Sequence, residues 1–269
     1  MVEQGYIKKR KRRKTVGVLS GVATLGTGTL VLVSFLGRFS GNFTVSLNTG
    51  NVKISLSEKE DFANSSSYLK VDNLGAFDQM TYTKLPKADI IDNDATTYEI
   101  GMNSSKTMNF FKYTFYVKNI GSISADYTLS VRIVESTPSV NGEYLDNLLR
   151  VIVYANDANK KDSHNHVVYA KASDTPNIDL NGQQTFQEYI SYSPKEAASL
   201  GVEFPGFATS FINDELVAEV PVTYFEESDM NRYTIVTWIE GYDPQSYAKG
   251  APEGANIKLG VEINANENE

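Results

Sequence analysis

Residues 110–118 read Phe-Phe-Lys-Tyr-Thr-Phe-Tyr-Val-Lys, and the first seven of them include five aromatic side chains and a single charge. Side chains alternate between the two faces of a β-strand, so the odd-numbered residues from Phe111 to Val117 would share one face. A strand of this composition pairs with other chains when it is exposed at an edge. We therefore predict that its aromatic face lies in a core and that Lys112 points to solvent, where Lys112→Asp would be nearly silent.

A second strand is predicted beyond a turn at residues 119–122. From Asp126 to Ile133 the odd-numbered positions are apolar and the even-numbered positions are polar or charged. A shift of one residue would bury Asp126 and Arg132, so the pattern specifies the register strongly.

The same period-two pattern recurs along the chain. Residues 43–47 and 52–56 flank the turn sequence Asn-Thr-Gly-Asn, which predicts a β-hairpin. Residues 233–240 carry apolar side chains on both faces, which is typical of a central strand buried on both sides. Further strands are predicted at residues 149–154, 167–171, 216–223 and 257–263.

Helical signals are few. Residues 142–148 predict one or two turns, and residues 194–200 open with proline and predict a short helix. Many short strands separated by Gly, Asn, Asp and Ser predict an all-β fold, an antiparallel, jelly-roll-like β-sandwich. The stretches 58–107 and 172–215 lack clear periodicity and would be excursions at the ends of the sandwich, where binding sites most often lie.

The N-terminal part of the chain differs from the rest. Residues 1–14 hold seven Lys or Arg and one acidic residue, and the remainder holds 18 basic and 32 acidic residues, so charges of +6 and −14 make up the net −8. Residues 15–37 are uncharged, and as a helix of about 34 Å they would cross a hydrocarbon core of about 30 Å. The positive-inside rule then places residues 1–14 in the cytoplasm and residues 38–269, as one domain, outside the cell.

Two interpretations of residues 15–37 stay open. A cleaved signal peptide has an apolar core of about 7–15 residues and a cleavage site of small residues, whereas this segment is longer and is followed by Arg38 and Phe39. We favour a retained single-pass membrane anchor, with a secreted protein as the alternative. The exported part has no cysteine, but it is large enough to form a core without disulfides.

Four short sequences follow the basic start and the Gly-rich apolar segment: a strand pair at residues 43–56, Phe-Tyr-Val-Lys-Asn-Ile-Gly-Ser at 115–122, Thr-Trp-Ile-Glu-Gly-Tyr-Asp-Pro at 237–244, and a strand at 257–263. In this order they resemble the TasA/camelysin-type exported β-sandwich proteins of Firmicutes. The resemblance implies a Gram-positive cell-surface or biofilm-matrix protein that forms or decorates fibres.

Few residues suggest catalysis or metal binding. His164 and His166 are the only histidines; on a strand they would share a face and could reach one metal ion, but an exposed polar loop is the favoured interpretation. Asp92 and Asp94 resemble the start of a calcium loop that lacks its glycine at position six and its acidic residue at position twelve. A solvated turn is favoured there, with a looser Ca²⁺ site as the alternative.

Nucleophile and cofactor motifs are absent from the sequence: it has no cysteine, Gly-x-Ser-x-Gly, P-loop, dinucleotide fingerprint or His-Glu-x-x-His. Glu240 and Asp243 beside Trp238 form a remote glycosidase alternative.

These observations predict a non-enzymatic, membrane-anchored cell-surface protein that needs no cofactor. It would bind other surface or matrix proteins, copies of itself among them, through an exposed strand edge. The acidic exterior makes nucleic acid a poor partner. The alternatives are a carbohydrate- or metal-binding sensor domain and, third, an extracellular hydrolase. Solvent-facing aromatic residues would favour sugar, and a long unpaired edge would favour assembly.

Overall fold

The computed structural model describes residues 35–36, 41–86, 97–104, 106–157, 164–242, 252 and 254–267. Within these ranges the chain forms sixteen strands and one α-helix, α1 (Pro194–Leu200), together with a 3-10 turn at Tyr82–Lys84. The strands are β1 Phe35–Leu36, β2 Gly41–Thr49, β3 Ile54–Ser57, β4 Tyr68–Leu74, β5 Gln79–Met80, β6 Tyr98–Met102, β7 Met108–Asn119, β8 Ala125–Thr137, β9 Leu149–Asp157, β10 His164–Ala170, β11 Asn177–Ile178, β12 Gln184–Thr185, β13 Thr209–Ser210, β14 Leu216–Phe225, β15 Met230–Glu240 and β16 Asn256–Glu267.

The long strands form two sheets, which confirms the all-β prediction. The first sheet has the order β14-β8-β16-β2-β4, and β1 pairs with β16. The second has the order β13-β10-β9-β15-β7-β3, with β5 beside β15 and β6 beside β7. Most neighbouring strands are antiparallel, but β2 runs parallel to β16, so the first sheet is mixed rather than purely antiparallel.

The main core lies between the two sheets. The odd-numbered side chains of β7 from Phe111 to Val117 are completely buried there, as predicted. Phe43 of β2 packs across from the opposite sheet, with ring-centroid distances of 5.2 Å to Phe111 and 4.7 Å to Tyr113. The predicted register of β8 is also confirmed, because its odd-numbered residues from Tyr127 to Ile133 are buried whereas Asp126 is partly exposed.

The prediction that Lys112 points to solvent is wrong, because its exposed fraction is 0%. Lys112 lies on the outer face of the second sheet, where a second apolar cluster forms around Trp238 and Phe110. Segments from residues 76–86 and 186–211 cover this face and contribute Met80, Tyr82, Leu85, Ile190 and Ala208 to the cluster. These segments belong to the two long excursions, which therefore lie partly on the outer face of the sheet and not only at the ends of the sandwich.

The predicted hairpin at residues 43–56 is also wrong. Its first arm is β2, which pairs with β16 and β4 in the first sheet. Its second arm is β3, which pairs with β7 in the second sheet. Residues 48–51 therefore carry the chain from one sheet to the other, because both arms bury their apolar face in the same core from opposite sides.

The short helix α1 is confirmed. Ser193 caps it: the Ser193 hydroxyl accepts from Glu196 N, while Ser193 N donates to the Glu196 carboxylate. Gly201 ends the helix in a left-handed conformation with φ of 67°. Residues 142–148 instead form hydrogen-bonded turns in which Leu145 O accepts from Leu148 N and Leu149 N.

Most of the predicted membrane segment lies outside the described residues. Its described part is Phe35 and Leu36, which form β1 opposite Leu259 and Lys258. The predicted helix therefore ends before Phe35; the uncharged residues 15–34 would still span about 30 Å as a helix. Among the residues that the structure describes, no helix combines the length and apolarity needed to cross a bilayer.

Candidate functional site

A cleft of about 510 Å³ opens beside the end of β15. The short strand β5 forms one wall, because it runs parallel to the last two residues of β15 and places Met80 opposite Glu240. The facing ends of β6 and β7 contribute a second wall, and the chain that leaves β15 contributes a third. The described residues with polar side chains that line the cleft are Gln79, Thr81, Lys84, Asn103, Asn109 and Tyr242.

The carboxylate of Glu240 joins the chain that follows β5 to the chain that leaves β15. It is completely buried. Its Oε2 accepts from Tyr82 N at 3.0 Å and from Trp238 Nε1 at 2.9 Å. Its Oε1 accepts from Ser191 Oγ at 3.0 Å and from Tyr242 N at 3.1 Å. The donors come from three separate chain segments, so this one side chain fixes their relative positions.

A chain of hydroxyl groups continues from Glu240 to the cleft. Ser191 has a single hydroxyl hydrogen, which it donates to Glu240. In the 2.8 Å contact between Thr81 Oγ1 and Ser191 Oγ, Thr81 must therefore be the donor. Thr81 is buried and lines the cleft. Its orientation is set, through two successive hydrogen bonds, by the buried carboxylate of Glu240.

The buried outer face near Glu240 also carries a positive charge. Arg150 of β9 lies opposite Trp238 in the ladder with β15 and is completely buried. Its Nε donates to Tyr189 O at 3.1 Å, and a terminal guanidinium nitrogen donates to Leu149 O at 3.3 Å. Arg150, Trp238 and Glu240 share this face of the sheet, because paired and i, i+2 positions of strands point the same way.

The glycosidase alternative finds no support in this geometry. Trp238 is completely buried, so its indole offers no surface on which a sugar could stack. Both oxygens of Glu240 are engaged by protein donors, and Asp243 lies outside the described residues.

The two asparagines of the cleft differ in their bonding. Asn103 is used by the protein: its Oδ1 accepts from Thr107 N at 3.0 Å, and its Nδ2 donates to Asp78. The Oδ1 of Asn109 is buried and has no hydrogen-bond partner. Gly101 lies directly beside Asn109 Oδ1. A Cβ atom on residue 101 would overlap both this oxygen and the Phe110 ring. Glycine is therefore required for this close approach.

For the predicted metal ligands, the structure describes only the backbone of the two histidines. His164 and His166 lie in β10, where their backbones pair opposite Asn156 and Tyr154, so the interpretation as a loop is wrong. Their side chains, and the whole of Asp92 and Asp94, lie outside the described part of the chain. Where side chains are described, no group of three or more His, Asp or Glu could hold a metal ion. Metal binding therefore stays an untested alternative.

Two phenols in the main core have raised pKa values. Burial, followed by the charge and hydrogen bond of Glu58, raises the pKa of Tyr113 far above its ordinary value. Burial likewise raises the pKa of Tyr233, against the smaller opposing effect of its hydrogen bonds to Tyr127 and Asn231. Both groups stay protonated at neutral pH and act as fixed hydrogen-bonding groups of the core.

Comparison of the sequence with protein-family models and with curated proteins finds no match to either. The structure itself shows an all-β protein with two packed sheets and a cleft lined by hydrogen-bonding side chains at one end of the second sheet.

Proposed function

We propose that this is a non-enzymatic, membrane-anchored cell-surface protein whose exported, jelly-roll-like sandwich binds a surface or matrix component. The observation that carries the proposal is the chemistry of the cleft. Its described lining residues offer side-chain amides, a hydroxyl, an ammonium group and a tyrosine ring. These described lining residues supply no carboxylate, imidazole or thiol, and the Thr81 hydroxyl already donates to Ser191, so the lining mainly offers hydrogen bonds to a ligand.

The cleft is a better candidate for the binding site than an exposed strand edge. The edge strand β14 is ten residues long, but Pro221 lies within it and its pairing with β8 shifts register twice. Proline and bulges are devices by which natural sheets prevent edge-to-edge pairing. At the other edge of the same sheet, β4 exposes Lys70, which opposes such pairing in the same way. We therefore assign the binding role to the cleft.

The surface location rests on the sequence. A tail of charge +6 precedes an uncharged segment, and a remainder of charge −14 follows it. This asymmetry favours a cytoplasmic N-terminus, an anchor within residues 15–34, and the sandwich, which starts with β1, outside the cell. The resemblance to exported Firmicutes proteins supports a Gram-positive cell surface or biofilm matrix.

Protease added to intact protoplasts that express the full chain should digest the sandwich and spare the N-terminal tail. The physical reason is that the seven basic residues of the tail oppose its transfer across the membrane. Immunoblotting with epitopes at the two ends measures the outcome, and detergent-lysed protoplasts, in which both ends are accessible, serve as the control. Protection of the C-terminal epitope in intact protoplasts would refute the proposed orientation.

A further inference from the structure

We infer that the cleft binds a segment of a neutral, hydroxyl-rich polysaccharide. The inference rests on the proposed function and names the chemical class of the matrix component. A cleft of about 510 Å³ has the size of a small-ligand site, for which the usual range is about 300–1,000 Å³.

The donors and acceptors of the cleft match hydroxyl groups. Asn109 lines the cleft, and its side-chain amide can both donate and accept. The exposed Lys84 ammonium requires an acceptor, and the exposed Gln79 amide can use both. A hydroxyl group donates and accepts at once, so neighbouring hydroxyls of one sugar ring can satisfy all three side chains. The partly exposed Tyr242 ring supplies apolar surface for the carbon–hydrogen face of such a ring.

The backbone around the cleft argues against an extended peptide. A peptide that adds to a sheet needs unpaired main-chain groups. Here Gly241 N donates to Met80 O at 2.7 Å, and Asn103 N donates to Thr107 O at 3.0 Å. These main-chain groups are occupied, and side-chain amides are what the cleft presents instead.

The net negative charge of the exported part argues against a polyanion as the ligand. The chain after residue 14 carries a net charge of −14, which repels nucleic acid, acidic polysaccharides and anionic polymers of the cell wall. One lysine in the cleft does not reverse this field. Binding to a neutral polymer pays no such penalty and is insensitive to salt.

The cleft is also organised before a ligand binds. Glu240 fixes the chain after β5 and the chain that leaves β15 through Tyr82, Ser191 and Tyr242, and the hydroxyl chain fixes Thr81. Gly101 leaves room beside its backbone for both Asn109 Oδ1 and the Phe110 ring. A site held in this way loses little entropy on binding, which favours recognition of a weakly interacting neutral polymer.

The test uses the full chain, both displayed on cells and solubilised in detergent, with labelled dextran, β-1,3-glucan and galactomannan as probes. We expect at least one of them to bind with an affinity that is the same at low and high salt. Asn109→Leu and Gln79→Leu should each weaken binding about tenfold, which corresponds to about 1.4 kcal/mol for one lost hydrogen bond. Asn109→Leu should not lower the melting temperature, since Asn109 Oδ1 has no partner to lose.

Gln184→Leu is the matched control, because Gln184, like Gln79, is an exposed glutamine in a two-residue strand. It should bind as the parent chain does. The inference is overturned if none of the three probes binds, if the two cleft variants bind as well as the control, or if labelled hyaluronate or a casein peptide digest binds in their place. Binding by the detergent-solubilised chain, combined with a protected C-terminus in protoplasts, would refute the proposed location and leave the cleft assignment standing.

Discussion

Phe115→Asp is expected to prevent the protein from accumulating in folded form. Phe115 is completely buried between the sheets, and its ring centroid lies 5.6 Å from that of Tyr233 and 6.0 Å from that of Tyr113. An unpaired carboxylate at this position costs several kcal/mol, which is on the order of the whole stability of a domain, about 5–15 kcal/mol. The amount of protease-resistant full chain in the membrane fraction measures the effect.

Ile120→Asp introduces the same charge at the end of the same segment and serves as the control. Ile120 is 57% exposed, so the change should cost less than about 0.5 kcal/mol and leave accumulation unchanged. Phe115→Ala should lower the free energy of unfolding by about 3–5 kcal/mol. This milder variant allows the contribution of Phe115 to be measured if the Asp variant is degraded. A stable, folded Phe115→Asp that loses only self-association would show that β7 is an assembly edge.

Glu240→Ala is expected to lower the free energy of unfolding by at least about 3 kcal/mol. The substitution removes the common acceptor of Tyr82 N, Trp238 Nε1, Ser191 Oγ and Tyr242 N, and leaves the Trp238 and Ser191 donors buried without it. Thermal unfolding of the detergent-solubilised chain can be followed by fluorescence, because Trp238 is the only tryptophan and donates directly to this carboxylate.

The free energy of unfolding of Glu240→Gln should lie between that of the parent chain and that of Glu240→Ala. Its amide oxygen can still accept two of the bonds, whereas its NH₂ group meets the other two donors. Glu203→Ala, at an exposed position, is the control and should unfold as the parent does. An unchanged melting temperature in Glu240→Ala would contradict the role of this side chain as the anchor of the cleft.

The sequence predicts those parts of the fold that depend on alternation within one strand. β7 and β8 were located, and their core-facing residues identified, because a shift of register would bury charge. The same pattern could not show what lies over the other face. Lys112 is buried because the segments 76–86 and 186–211 cover the sheet, and nothing in the alternation of β7 indicates them.

Turn chemistry alone could not distinguish a hairpin from a crossing between sheets. Residues 48–51 have the composition of a hairpin turn, yet β2 and β3 belong to different sheets. The choice depends on the partners that the arms find far along the chain, β16 for the first and β7 for the second. Those pairings are tertiary information that no local window contains.

The cleft could be predicted only in outline. Long excursions such as 58–107 and 172–215 are where binding sites most often lie, and Gln79, Lys84 and Asn103 come from the first of them. No motif marks them, because the cleft forms when β5 pairs with the end of β15 and brings Tyr242 beside Gln79. The sequence offers Glu240 only as a remote candidate for a catalytic acid, whereas in the structure its carboxylate accepts from four protein donors.

The most direct test of a membrane-anchored binding protein is the N-terminal sequence of the mature, cell-associated chain. We predict that the mature, cell-associated chain retains the basic tail and the uncharged segment, and that it is recovered with the membrane fraction. Retention follows from the length of the uncharged segment and from Arg38 and Phe39 after it, which make a poor cleavage site. A mature chain that begins near Arg38 or Ser40 and is recovered in the medium would contradict the anchor and show a released protein.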